Sequence, residues 1–196
     1  MYSFRSLWNG HCTFAAMKPA TRPNIRHMTP EELEGFFGSI GAQKFRARQV
    51  YEWLWLKQAQ SFESMTNLSK ELRTKLEDHF MLPALQIDAT QRSSDGTIKS
   101  RFRTFDGNLV EGVLIPSGSR QTAYVSSQIG CSLNCKCCAP GYMDRKRNLN
   151  VDEIYDEVAL INQQSEIEYG KKLSNIVLMG MGEPLLNYNN VLKSIE

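Results

Sequence analysis

The sequence predicts an α/β protein, α+β overall, in which a small helical domain precedes short antiparallel strands and then the first units of a parallel (β/α) barrel. Three observations carry the prediction. Apolar residues recur at helical spacing as far as Pro83. Between Leu85 and Val125 the pattern changes to short alternating segments separated by turn residues. After that an apolar strand, a long amphipathic helix and a second apolar strand follow one another, which is one βα crossover unit.

The 196 residues are 41% hydrophobic and 22% charged, a balance that buries a core and excludes a low-complexity chain. No apolar run approaches the roughly 18 residues that span a membrane. A net charge of +2 does not by itself announce nucleic acid, but its distribution is uneven. Residues 1–28 read as a disordered extension: from Met1 to Pro30 there are four basic residues and no acidic one. That character resembles an organellar transit peptide, and an upstream start before Met17 or Met28 explains it equally; the second is favoured.

From Thr29 the run TPEELEGFFGSIG opens a helix, with Thr29 as cap, Pro30 in the first position and Glu31 and Glu32 at the positive end of the dipole; Gly41 closes it. KFRARQVYEWLWLKQA places Phe45, Val50, Trp53, Leu54 and Leu56 on an apolar stripe, and LSKELRTKLEDHF adds Leu68, Leu72, Leu76 and Phe80. These segments make a helical domain over 29–83. Trp53 on the stripe reads as core; Trp55 lies off it. Residues 84–120 contain the antiparallel strands IKSRFRTF and NLVEGVLIP, and QTAYVSS opens the barrel portion, 121–196. VDEIYDEVALINQQ carries Ile154, Val158 and Ile161 on one helical face, KLSNIVLMG reads as a buried strand, and NYNNVLKSIE begins another helix. A complete barrel needs about 200 residues. Two strand–helix units fit after Gln121, so the chain reads as the N-terminal portion of a longer enzyme.

The chemistry concentrates in SSQIGCSLNCKCCAPG. Cys131, Cys135 and Cys138 stand with three residues in the first gap and two in the second. Three thiolates on one tight loop can hold three irons of a [4Fe-4S] cluster and leave the fourth open to a substrate or cofactor. A four-thiolate zinc site including Cys137 fits less well, because structural zinc sites draw two short pairs from separated segments. Disulfides are disfavoured in a chain expected to be cytoplasmic. Cys12 has no visible partner. Downstream, Gly180, Met181, Gly182, Glu183 and Pro184 follow a strand at the end where parallel barrels place their sites, and the glycines suit close approach of a cofactor. Glu111 stands alone among apolar strand residues. Burial there would raise its pKa toward a range useful for proton transfer, while strand alternation favours an outward position.

The cysteine spacing resembles the radical SAM superfamily. The words SSQIGCSLNC, RNLNVDEI and NIVLMGMGEPLLNYNNV, with KFRARQ and MTNLSKELR before them, resemble the RlmN family of dual-specificity RNA methyltransferases, over Thr29 to Glu196. The resemblance implies a [4Fe-4S] cluster on Cys131, Cys135 and Cys138, S-adenosyl-L-methionine at Gly182 and Glu183, and Glu111 as proton acceptor. It implies methylation of adenosine C2 in 23S rRNA and tRNA through a methyl-carrying cysteine and a carbon radical, with a flavodoxin-type electron donor, no membrane and a monomeric enzyme. Adenine C2 is electron-poor and has no lone pair, so radical addition suits it where nucleophilic methyl transfer does not. The related adenosine C8 methyltransferases share nearly all these motifs, and a noncatalytic RNA-binding module with a metal-stabilised loop is the alternative from another class.

Several positions depart from the family. Its methyl-carrying cysteine would lie beyond Glu196, so these residues alone are not expected to complete a turnover. Tyr124, seven residues before Cys131, stands where the family has its second catalytic cysteine. Cys137 replaces an aromatic residue and Pro140 a threonine.

Overall fold

The computed structural model describes residues 22–133, 135, 136 and 138–196. Cys12, Cys137 and most of the predicted extension lie outside the described residues. The extension is nevertheless shorter than its sequence suggests. Asn24 forms a parallel bridge with Met81, Ile25–His27 make a 3-10 turn, and Ile25 is wholly buried against the helices. A single apolar residue among prolines and basic side chains shows no periodicity, so its anchoring role was not legible.

Three helices follow, α1 (Pro30–Ser39), α2 (Phe45–Trp55) and α3 (Lys70–His79). Thr29 caps α1 in a reciprocal box: its hydroxyl accepts from Glu32 N at 3.2 Å, and Thr29 N donates to the Glu32 carboxylate at 2.8 Å. Gly41, at φ 72°, turns the chain after α1, and Ser69 caps α3. Leu33, Phe37, Val50, Leu54, Leu72 and Leu76 form the centre of this core. The expected stripe of α2 shifts at both ends: Phe45 and Leu56 are exposed, whereas Ala47 is buried. Helical phase selects residues 47, 50 and 54, and the flanking apolar residues fall outside that arc.

The second unit is a five-stranded sheet in the order β1-β2-β3-β4-β7. β1 (Gln86–Arg92), β2 (Ile98–Arg103), β3 (Leu109–Ser117) and β4 (Arg120–Tyr124) are antiparallel neighbours. β1 lies at the edge and is mostly exposed, which left it without a periodic signal. The chain leaves β4 through a small hairpin, β5 (Gln128–Ile129) with β6 (Arg147–Asn148), and enters α4 (Val151–Tyr169). It returns as β7 (Asn175–Val177), parallel to β4, and ends in α5 (Tyr188–Ile195). The βα crossover is therefore present and continuous with the antiparallel strands. β7 is not the buried strand the sequence suggests, since it forms the sheet edge and Ile176 is exposed.

The sheet's two faces differ. Ile98, Phe102, Val110, Leu114 and Ala123 point to the α4 side and form a core with Ile154 and Ile161. Lys99, Arg101, Glu111, Val113 and Tyr124 alternate with them and face the other way.

α4 also carries the join to the helical domain. Arg26 Nη1 lies 2.5 Å from Asp156 Oδ1, both side chains almost entirely buried, and Asp156 Oδ2 accepts from Leu85 N at 3.1 Å. Asn24 Nδ2 donates to Asp152 at 2.8 Å. Trp55 meets Tyr155 edge to face at 5.4 Å, and the Tyr155 hydroxyl donates to the Trp55 carbonyl. Trp55 lies off the core stripe because it packs between domains. Burial pushes the Asp156 carboxyl up, while Arg26 and the Leu85 N–H oppose that rise. Arg26→Ala strands a buried carboxylate and is expected to cost about 3–5 kcal/mol in urea denaturation. Adding Asp156→Asn, which removes the charge but leaves an acceptor for Leu85 N, is expected to recover part of that loss.

Candidate active site

The cysteines sit at the tip of the β5–β6 hairpin. Its roots are fixed by the backbone, with Lys146 N donating to Ile129 O at 2.8 Å and Cys131 N to Met143 O at 3.3 Å. Within the tip, Cys138 N donates to Cys135 O at 3.2 Å and Gly141 N to Cys138 O at 2.9 Å. Cys131 is buried; Cys135 and Cys138 are exposed; all three are free thiols. Among the described residues no three His, Cys, Asp or Glu side chains converge at metal-holding distance. The donor set still fits a cluster held by three thiolates: one buried and two accessible sulfurs lie on a short loop closed by its own backbone hydrogen bonds.

Charged side chains clamp the hairpin from below. Arg147 reaches Asp106 in the β2–β3 turn at 2.7 Å and Glu153 at the start of α4 at 2.7 Å. Arg147 holds the Asp106 carboxyl well below the usual carboxylate range, and Glu153, followed by Asp106, raises the guanidinium's own pKa. Glu153 also accepts from Asn150 N at 2.9 Å, so hairpin and helix start share one carboxylate.

Ser126 occupies the point where β4 ends. Its N–H is shared by both oxygens of Glu157 at 3.1 Å, its hydroxyl donates to Glu111 O at 2.7 Å, and the same hydroxyl accepts from Met181 N at 2.9 Å. Glu157 is wholly buried, and that burial drives its pKa well above the ordinary value, opposed only by the Ser126 N–H.

The Gly180–Glu183 segment lies directly against this strand end. A Cβ on Gly180 would stand 2.7 Å from Val125 backbone and Ser126 Oγ; one on Gly182 would stand 2.4 Å from Gln128 Cβ, at φ 93°. The side of each glycine where a Cβ would stand is therefore filled by the protein itself, so packing against Val125, Ser126 and Gln128 already requires glycine at both positions. Gln128 bridges the two segments: its Oε1 accepts from Glu183 N at 3.0 Å and its Nε2 donates to Asn148 Oδ1 at 2.7 Å. Buried Asn187 Nδ2 donates to Ser127 O at 2.8 Å and Leu149 O at 2.9 Å, and Asn148 Nδ2 donates to Leu186 O at 3.2 Å. Glu183 Oε1 caps the following turn through Leu185 N at 3.1 Å.

Glu111 takes the outward position that strand alternation favours. Its backbone carbonyl belongs to the site through Ser126, but its side chain is 42% accessible and pairs with Lys99 Nζ at 2.7 Å. Alternation along β3 turns it to the face away from α4, so the burial invoked for it is absent. Tyr124 shares that face, opposite Val113.

The sequence and structure can now be set beside known proteins. Residues 23–82 match the ribosomal RNA large subunit methyltransferase N-terminal domain, RlmN_N. Over 172 residues the chain is 61% identical to the probable dual-specificity RNA methyltransferase RlmN of Cytophaga hutchinsonii, covering 88% of this chain and 47% of that one. The chain belongs to the RlmN family. The corresponding RlmN of Christiangramia forsetii is 54% identical, with 89% and 50% covered. The crystal structure of a radical SAM methyltransferase from Sphaerobacter thermophilus superposes with a TM-score of 0.76 at 37% identity, covering 88% of this chain and 51% of that one. The chain thus spans about half the length of the RlmN relatives it matches.

The words that carried the RlmN resemblance are hydrogen-bond partners of one another. Ser126, Gln128, Asn148 and Asn187 lie within those words, and no periodicity or ligand spacing marks them. Glu157 was missed because a glutamate in an amphipathic helix reads as solvated.

Glu157 yields a testable consequence. Its folded pKa is raised, so the penalty for burying its charge is absent below its ordinary value near 4.5 and grows as pH rises toward the folded pKa. Glu157→Gln is expected to stabilise the protein at pH 8 by about 1.4 kcal/mol for each pKa unit relieved. That gain should vanish near pH 4.5 in urea denaturation; a pH-independent difference would contradict the assignment.

Proposed function

We propose that these residues form the cofactor-binding end of a radical SAM RNA methyltransferase that methylates C2 of adenosine in 23S rRNA and tRNA in the cytoplasm. The observation that carries the reading is the bonding of the segment leading into a CxxxCxxC loop to Met181 and Glu183 through Ser126 and Gln128. Similarity to dual-specificity RNA methyltransferases supports RNA as the substrate class.

Cys131, Cys135 and Cys138 would hold three irons of a [4Fe-4S] cluster, and Gly182 and Glu183 would receive the ammonium group of S-adenosyl-L-methionine. The cluster and that cofactor, when bound, supply an electron and a carbon radical suited to an unactivated ring carbon such as adenine C2. The chain's own residues do the rest. The hairpin clamp through Arg147 keeps the cysteine loop seated, and the Glu157–Ser126 contact fixes where β4 releases it. Glu111 would take the proton from C2; its pairing with Lys99 keeps the carboxylate oriented on the uncovered face. Tyr124 stands on that face in place of the family's second catalytic cysteine. A phenol cannot form or break a disulfide, so release of product through a disulfide is not available at this position. Tyr124 is the observation that favours the second reading, an RNA-binding module with a metal-stabilised loop.

Anaerobic reconstitution with iron and sulfide separates the two. The reduced protein is expected to show a [4Fe-4S]⁺ electron paramagnetic resonance signal that changes on addition of S-adenosyl-L-methionine and disappears in Cys135→Ala. Bound zinc, or no cluster, would overturn the radical reading and leave the binding module.

A further inference from the structure

We infer that Gln128 is a positioning residue that holds the Met181–Glu183 backbone at a fixed offset from the cysteine loop, so that cofactor affinity depends on it while cluster loading does not. The inference rests on the reading of this region as a cluster and cofactor site.

Gln128 is wholly buried and belongs to β5, three residues before the first thiol. It touches the cofactor segment in three ways. Its N–H donates to Met181 O at 3.1 Å; its Cβ and Cγ fill the space beside Gly182; its Oε1 accepts from Glu183 N at 3.0 Å. The direction of its amide is not free. Arg145 Nη2 donates to Asn148 Oδ1 at 2.8 Å, and Asn148 Nδ2 donates to Leu186 O, so Asn148 presents an acceptor that only the Nε2 end of Gln128 can meet. The Oε1 end is thereby turned to Glu183 N.

The side chain at 128 must therefore be unbranched at Cβ to pass Gly182, long enough to reach Glu183 N, and must end in both a donor and an acceptor. Glutamate would face Asn148 Oδ1 with a second acceptor; methionine fills the volume but makes neither bond; asparagine is a methylene short. Glutamine alone meets all three requirements. Among the described residues, Cys131, Cys135 and Cys138 take no part in these contacts, which separates cofactor placement from cluster loading.

The test compares the 196-residue chain with Gln128→Met and Asn148→Ala, using two readouts. Amide hydrogen exchange of the metal-free protein reports on Glu183 N–H without any cofactor. Iron content and the resonance of the reduced cluster, titrated with S-adenosyl-L-methionine, report on the site. Gln128→Met is expected to speed exchange in 181–187 and weaken cofactor affinity about tenfold, the scale of one lost buried hydrogen bond, with iron content at the parental level. Asn148→Ala should shift both readouts the same way by less. Parental cofactor affinity in a folded Gln128→Met protein overturns the inference, as does a parallel loss of iron. Should that variant not fold, parental exchange and affinity in Asn148→Ala overturn it instead. A parent that takes up no cluster defeats the proposed function, and unchanged exchange in the metal-free variants then separately overturns the positioning role.

Discussion

The fold turns on how the backbone is satisfied where β4 stops. A strand leaving a sheet loses its ladder partners, and buried N–H and C=O groups left alone cost as much as a lost hydrogen bond. Here side chains supplement the backbone bonds that run on from Val125 to Gln128. Ser126 serves Glu111, Met181 and Glu157; Gln128 serves Glu183; Asn187 serves Ser127 and Leu149. Each partner comes from a different part of the chain, so the polar join holds β3, β4, the hairpin and the segment after β7 in one arrangement. Apolar packing alone tolerates shifts between such segments; paired polar groups do not.

α4 is the second organiser, and it works through its acids. Asp152, Glu153, Asp156 and Glu157 are all buried, and together they reach three other parts of the chain. Asp152 and Asp156 take Asn24 and Arg26 from the helical domain, Glu153 takes Arg147 from the hairpin, and Glu157 takes the end of β4. Two of these contacts involve arginine and two do not. The helix therefore fixes both the domain join and the mouth of the cysteine loop while its apolar side, Ile154 and Ile161, packs on the sheet.

The other sheet face carries charge together with Tyr124. Lys99 and Glu111 pair there, Arg101 and Arg103 bind Asp88, and Tyr124 lies beside Val113. Placing Glu111 and Tyr124 on one face, away from α4, is what alternation in an antiparallel pair requires.

The sequence alone determined the helical domain, the capped start of α1, the strands around Ile98–Arg103 and Leu109–Ser117, the crossover through α4 and the three candidate thiols. These are local matters, since periodicity, capping chemistry and ligand spacing are complete within a few residues. It could not determine that Ile25 belongs to a core, that Trp55 packs between domains, that Gly180 and Gly182 make room for Val125 and Gln128, or that Glu157 is buried. Nor could it show that Glu111, outward as alternation favours, pairs with Lys99. Those depend on residues well separated in the chain, as far apart as Trp55 and Tyr155, meeting in space, where burial and partners, not residue type, decide what a side chain does.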